Sequence, residues 1–354
     1  MKAQLNTYDM NRVNLWEYVP LDTPFQLDIE NTFICNFRCN YCLHSLDRKT
    51  LESRDFHFEP MKWEHFEAIL KQMQEFPHNI KKICFTGFGE PTLDERLPDM
   101  IRMAMETGKV DKTLVISNGS LLTPELSDRL LASGLSELKI SLQGMSAEKY
   151  QEVCGALLDF DRYLENLRYF SAHRKQCALR VKIADVSLGP GEERRFYDTF
   201  GELCDYIAIE HIYPQFNGVD TNVMPDVETN RFGFRYVQKH VCSTLFFKLN
   251  VLQSGKITFG YPDGITYDDF FVDRMTLMEA WNSPERKRLL YDNLTGDRST
   301  RECCKTCRRW SYSVVPRDDI DGHEQEVLSR LDPSEYNIPR ENLRKETIIC
   351  YDGA

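Results

Sequence analysis

Phe25-Gln26-Leu27-Asp28-Ile29 and, after five intervening residues, Cys35-Asn36-Phe37-Arg38-Cys39-Asn40-Tyr41-Cys42 form the stretch on which the fold turns. The first segment alternates apolar and polar residues in the manner of a strand. The second places three thiols, spaced Cys-x3-Cys-x2-Cys, on one short loop directly after it. Three thiolates on such a loop can hold three irons of a cubane and leave the fourth iron open. A tetrahedral zinc site is the other reading, with His44, two residues on, as the local fourth ligand.

Outward from this loop, strand and helix patterns alternate about six times as far as Ile209. Ile83-Cys84-Phe85, Leu114-Val115-Ile116, Leu138 to Leu142, Leu179 to Ile183 and Tyr206 to Ile209 read as the later strands. Phe66, Ile69, Leu70 and Met73 fall on one helix face, and Met100, Met103 and Ala104 mark the next helix. Thr123-Pro124 is an N-cap with proline in the first turn, and Gly108 and Gly134 stand as C-terminal stops. A period of roughly 30 residues is that of βα repeats on a parallel sheet. Six units fall short of the eight of a closed barrel, so the α/β chain is expected to be either an incomplete barrel or a doubly wound open sheet. The pattern stops near Asn217, where a stretch rich in Gly, Pro, Asn and Asp reads as a linker. The expected division is an N-terminal arm at 1–20, a partial barrel at 21–216 and a C-terminal section at 217–354.

Twelve cysteines are many for a chain without a signal-peptide core or a run of roughly 18 apolar residues. A cytoplasmic chain with no membrane partner is expected, and its thiols are then metal ligands, catalytic groups or buried residues rather than disulfides. Cys84, Cys177 and Cys204 lie in strand or helix patterns and read as core. With 55 acidic against 44 basic residues the formal charge is −11, which does not favour nucleic acid as a partner.

The motifs at the ends of successive strands resemble those of the radical S-adenosylmethionine (SAM) enzymes. Gly87-Phe88-Gly89-Glu90-Pro91 is similar to that family's Gly-Gly-Glu-Pro, Ser117-Asn118 matches its ribose contact, and Ser141-Leu142-Gln143-Gly144 resembles its Ser-Leu-Asp-Gly. The resemblance implies that Cys35, Cys39 and Cys42 bind a 4Fe–4S cluster whose open iron takes SAM. It also implies that Tyr41 lies against adenine, that Phe88, Gly89 and Glu90 receive the SAM amino group, and that Ser117, Asn118 and Ser141 complete the cofactor site. In such enzymes an electron from the cluster cleaves SAM to methionine and a 5′-deoxyadenosyl radical, which takes a hydrogen atom from substrate. The family fold is the incomplete (β/α)6 TIM-like barrel, and that architecture is therefore expected here. One position departs: Cys154 stands where family members often carry an arginine for the SAM carboxylate. Lys182 or Arg180 would replace it, and strand alternation lets only one of them point inward.

Cys242, the Ser254-Gly255 turn of a hairpin, Trp281-Asn282-Ser283 opening a helix, and Cys304-Lys305-Thr306-Cys307 follow in an order similar to the family's C-terminal auxiliary-cluster extension, called SPASM or, when shorter, twitch. The likeness implies one auxiliary cluster on Cys242, Cys304 and Cys307, with Cys350 as a candidate fourth ligand. Half of a zinc ribbon, or plain packing, is the alternative. The family's cysteine five residues after the turn glycine is replaced by Gly260.

For function, the resemblance implies an oxidoreductase of dehydrogenase or epimerase type. Its substrate would be a small hydroxylated molecule (a sugar, cyclitol or nucleotide sugar), and flavodoxin or ferredoxin would supply electrons. Cys154, expected at the mouth of the barrel, is the candidate thiol for returning a hydrogen atom to a substrate radical. Only 34 residues precede Cys35, too few for the peptide-recognition domain of many peptide-modifying members, so maturation of a ribosomal peptide is the second reading. A non-catalytic iron–sulfur protein on the same scaffold is the third.

Overall fold

Alternation along the chain decides which side of each strand meets the helices. The computed structural model describes residues 1–354 apart from 6–7, 9–10, 214–215, 217, 220–227, 262–263, 297–300, 306 and 349–354, and only the backbone of 302, 303 and 348. The strands are β1 (Gln4–Leu5), β2 (Gln26–Ile29), β3 (Lys82–Phe85), β4 (Thr113–Ser117), β5 (Glu137–Leu142), β6 (Ala178–Ala184) and β7 (Tyr206–Glu210). Between them run α1 (Arg48–Ser53), α2 (Trp63–Gln72), α3 (Leu97–Glu106), α4 (Pro124–Ala132), α5 (Ala147–Cys154), α6 (Phe160–His173) and α7 (Glu192–Phe200). Thr123 caps α4 by accepting from the Leu126 N–H at 3.2 Å, with Pro124 in its first turn. Gly108 and Gly134, at φ +65° and +85°, end the preceding helices as expected.

Strands β2 to β7 pair in parallel in chain order, and the sheet continues at both ends. β1 adds to β7 in parallel, so the N-terminal arm contributes an edge strand. β8 (Lys248–Val251) adds in parallel to β2, and β9 (Ile257–Phe259), β10 (Ile265–Tyr267) and β11 (Glu346–Ile348) follow antiparallel. The expected hairpin forms between β8 and β9, with Gly255 at φ +85°. Its first strand is also part of the main sheet, which the sequence reading did not anticipate. β1 and β11 stand at opposite ends of the strand order, so among the described residues the sheet is an open, mostly parallel one.

Leu27, Ile29, Phe85, Leu138, Ile140, Val181, Ile183, Leu249 and Val251 lie in the main core with the helices. The intervening residues, among them Asp28, Cys84, Lys139, Lys182 and Glu210, therefore occupy the opposite face. Cys177 and Cys204 are core residues as expected. Cys84 is buried too but on the polar face, where Asp28, Lys82, Lys139 and Lys248 act on its thiol. Each fully buried Leu, Ile or Phe of the core is worth about 1.5 to 3 kcal/mol relative to exposure.

Candidate functional site

The carboxyl ends of β2, β3, β4 and β5 bring the predicted residues together, as parallel strands deliver their following loops to one edge. Cys35, Cys39 and Cys42 are free thiols on one loop. The loop is fixed from below by α5: the Arg38 and Asn40 N–H groups donate to the carbonyls of Cys154 and Val153 at 3.0 and 2.9 Å. The Cys42 N–H donates to the Cys39 carbonyl at 2.9 Å, which closes a tight turn. Burial pushes the Cys35 thiol up to about 12, and Glu90, Cys42 and Cys154 push in the same direction. Burial also raises Cys42, while Cys154 and then burial raise Cys39. Thiols raised in this way favour deprotonation only beside a compensating cation, which is the donor chemistry an iron–sulfur cluster needs. Among the described residues no three His, Cys, Asp or Glu side chains converge as a ready ligand set.

His44, the candidate zinc ligand, packs instead among aromatic rings. Its centroid lies 4.9 Å from that of Phe33, and burial holds its imidazole down at about 4.

Glu90 is buried and satisfied on all sides. It accepts from the Thr92 hydroxyl (2.6 Å), the Ser117 hydroxyl (2.7 Å), the Asn118 N–H (2.6 Å) and the Thr92 N–H (3.1 Å). Burial raises its carboxyl while these bonds oppose the rise. Both glycines of the motif are required by space. A Cβ on Gly89 would sit 2.0 Å from the Thr32 carbonyl oxygen, and one on Gly87, at φ +151°, 2.5 Å from a Glu30 oxygen. The Glu90 N–H donates to the Ile34 carbonyl at 2.8 Å and the Phe88 N–H to Glu30 at 2.8 Å, so the glycine loop is tied to the strand exit that leads into the cysteines.

Asn118 donates its side-chain amide to Asn36 Oδ1 at 2.8 Å, and Asn36 in turn donates to Ser120 Oγ at 2.8 Å. The Tyr41 hydroxyl meets Gln143 Oε1, which reaches back from the end of β5 past Ser141. Tyr163 supports the same loop by donating to the Asn118 carbonyl at 3.0 Å. Sequence reading missed Asn36, Thr92, Gln143, Tyr163 and Glu30. Asn36 and Gln143 lie inside the quoted motifs, so their position was a signal; Glu30 and Tyr163 gave none.

Two expected residues sit elsewhere in the site than sequence suggested. Cys154 is buried beneath the cysteine loop, with its thiol donating to the Tyr150 carbonyl at 3.0 Å and meeting Cys39. Lys182 points to the polar face as alternation allows, and its ammonium is committed to Glu210 at 2.7 Å. Arg180 shares that face, contrary to the expectation that only one of the two would point inward, because residues two apart on a strand point the same way; it pairs with Glu137 and lies over the Tyr206 ring at 3.9 Å.

In the C-terminal section Cys242, Cys304 and Cys307 are half-buried and in no disulfide. Cys242 and Cys307 both act on the half-buried Tyr261, next to Gly260. Gly260 adopts φ +83°, and its carbonyl accepts from Asn250 at 3.3 Å. Cys350 lies outside the described residues.

This arrangement defines a class before it defines a chemistry of its own. Residues 29–193 match the family described as the Radical SAM superfamily, and the chain carries a radical SAM domain. The likeness extends to particular proteins. GTP 3′,8-cyclase of Chlorobaculum tepidum is 30% identical over 148 residues, covering 41% of this chain and 42% of that relative, so the chain matches well under half of its length. Among solved structures, that of anSMEcpe with bound AdoMet has a TM-score of 0.53 at 16% identity, over 88% of this chain and 98% of that one. Streptococcus suis SuiB bound to S-adenosylmethionine gives 0.52 at 17%, over 84% and 74%. These structural likenesses show the fold: an α/β architecture with a mostly parallel sheet of the (β/α)6 type. The match over these residues implies a 4Fe–4S cluster with SAM. Among the described residues no helix is long and apolar enough to cross a membrane.

Proposed function

We propose that this radical SAM enzyme abstracts a hydrogen atom from a small hydroxylated substrate, such as a sugar, cyclitol or nucleotide sugar, and oxidises or isomerises it. Cys35, Cys39 and Cys42 hold the 4Fe–4S cluster, which supplies reductive cleavage of SAM when bound. The observation that carries the reading is the clamp of the three-thiol loop and the Gly87–Glu90 loop against Ser117 and Asn118. Tyr41 is assigned to adenine, the Phe88-Gly89-Glu90 backbone to the SAM amino group, and Ser117, Asn118 and Ser141 to the remaining polar edge. Flavodoxin or ferredoxin is the proposed electron donor. The units at 1–20, 21–216 and 217–354 are kept as functional divisions, the last as a SPASM- or twitch-like extension.

Cys242, Cys304 and Cys307 are proposed to hold one auxiliary cluster, with Cys350 as fourth ligand. The burial of Cys154 favours loss of an electron from the substrate radical over return of a hydrogen atom from a thiol. Alanine at Cys154 is then expected to spare SAM cleavage and yield the same oxidised product. One deuterium incorporated from deuterated water into an isomerised product would instead assign the thiol as donor. A nucleotide substrate is the second reading, supported by the similarity to a GTP 3′,8-cyclase. The test of the whole reading is reconstitution with iron and sulfide, then assay for 5′-deoxyadenosine with SAM and dithionite. Formation of 5′-deoxyadenosine is expected; its absence from fully loaded protein would favour a non-catalytic iron–sulfur protein.

A further inference from the structure

The polar face of the sheet carries an uneven charge. Lys139 on β5 and Lys182 on β6 flank Glu210 at the end of β7, and Arg231, from the segment beyond β7, reaches the same carboxylate at 2.5 Å. Among the described residues, three cations thus act on this one carboxylate, and the Glu137 and Arg180 charges also act on Lys139. The neighbouring Lys248–Asp28 pair, 2.9 Å apart on β8 and β2, is neutral and adds nothing to the excess. Burial works against the Glu210 carboxylate, yet Arg231, Lys182 and Lys139 together outweigh it and hold the group well below the usual carboxylate range.

Two of these cations are not fully enclosed. Lys182 keeps 21% of its side chain accessible and Arg231 27%, although both lie behind strands and loops. Burial nevertheless pulls the Lys182 and Lys139 amines down, the latter to about 8. Lys182 and Arg231 thus keep accessible surface in surroundings where burial disfavours a lone charge. Aromatic residues neighbour the cations: Tyr213 and Tyr261 both act on Arg231, and the Lys248 ammonium lies 5.4 Å from the Tyr261 ring centroid. Arg231 Nε is buried with no hydrogen-bond partner. A buried donor left unpaired costs about 1 to 3 kcal/mol, and a guanidinium offers its fork to planar or tetrahedral oxyanions.

We propose that Lys139, Lys182 and Arg231 form a binding subsite for an anionic group of the substrate, a phosphate or a carboxylate. The inference rests on the hydrogen-abstraction reading above and narrows its substrate class: the hydroxylated molecule carries a negative group at the end held by β5, β6 and Arg231. Glu210 keeps the three cations gathered and is the element that the anion partly displaces from their charge.

The test is calorimetric titration of the reconstituted holoenzyme, saturated with SAM, with pyrophosphate and separately with succinate. The expected result is 1:1 binding, tighter for pyrophosphate if the group is a phosphate and for succinate if it is a carboxylate. Lys139→Met and Arg231→Gln should each weaken binding by about tenfold or more, and Lys112→Met, on the exposed outer surface, should leave it unchanged. Glu210→Gln should tighten binding, a gain that a misfolded variant does not produce. The subsite is overturned if the wild type binds neither probe, if saturating SAM abolishes binding, or if neither cation variant weakens it. SAM cleavage measured on the same preparations keeps the two readings apart. Loss of cleavage with intact anion binding contradicts the proposed reaction and not the subsite.

Discussion

Glu90 shows how one side chain organises three loops. It accepts hydrogen bonds from Ser117, Asn118 and Thr92, so Glu90→Ala leaves several buried donors unpaired at once. We expect a loss of about 3 kcal/mol in chemical denaturation together with weakened SAM binding; a change within about 0.5 kcal/mol would contradict that role. Gly89→Ala asks a methyl group to occupy the place of the Thr32 carbonyl, and should cost about 2 kcal/mol or more by displacing backbone. Lys139 is a residue kept against stability. Burial lowers its amine to about 8 from the ordinary 10.5. The folded chain then binds fewer protons than the unfolded chain between those values, so stability rises with pH through that window, and the penalty is fully present below about 8. Lys139→Met should therefore raise the denaturation midpoint at pH 7 and flatten the rise between pH 8 and 10.5. An unchanged midpoint would mean that the amine is not desolvated.

At the scale of elements, α5 and the hairpin after β8 carry the consequences. α5 supplies the carbonyls that hold the cysteine loop, and its N-cap Ser146 accepts from the Lys149 N–H. Ser146→Ala should cost about 1 kcal/mol and lower the iron retained by the loop after gel filtration; full retention would show that the loop holds itself. The βα elements were legible because Leu138, Ile140 and Leu142 alternate strictly with Glu137, Lys139 and Ser141, and because caps such as Thr123-Pro124 punctuate the helices. The parallel addition of β8 to β2 was not, since Lys248–Val251 reads only as half of a hairpin, and its second partner lies more than 200 residues away. The motif residues at the strand ends were legible from their order. Their supports, Tyr163 on α6 and Glu30 after β2, were not, because a lone tyrosine or glutamate on an element carries no spacing signal. The C-terminal section gives the remaining prediction at this scale. With Cys35, Cys39 and Cys42 all replaced by alanine, reconstituted protein should still hold about four irons per chain. No iron, or zinc alone, would remove the auxiliary cluster.

For the whole molecule, one sheet joins the two halves. β8 continues it beyond β2, and Arg231, Tyr213 and Tyr261 come from outside the βα repeats to meet the polar face of β5, β6 and β7. The loops at the strand ends and the charged face behind them thus belong to one frame, with SAM chemistry assigned to the former and substrate recognition to the latter. The sequence order of motifs made the first part readable, while the charge set was hidden because Lys139, Lys182, Glu210 and Arg231 lie on four separate segments. The measurement closest to the central claim compares 5′-deoxyadenosine formation by the reconstituted wild type and by the Cys35→Ala, Cys39→Ala, Cys42→Ala triple variant, with SAM and dithionite and with circular dichroism to confirm folding. The account predicts deoxyadenosine from the wild type and none from a folded triple variant; cleavage retained in that variant would contradict it.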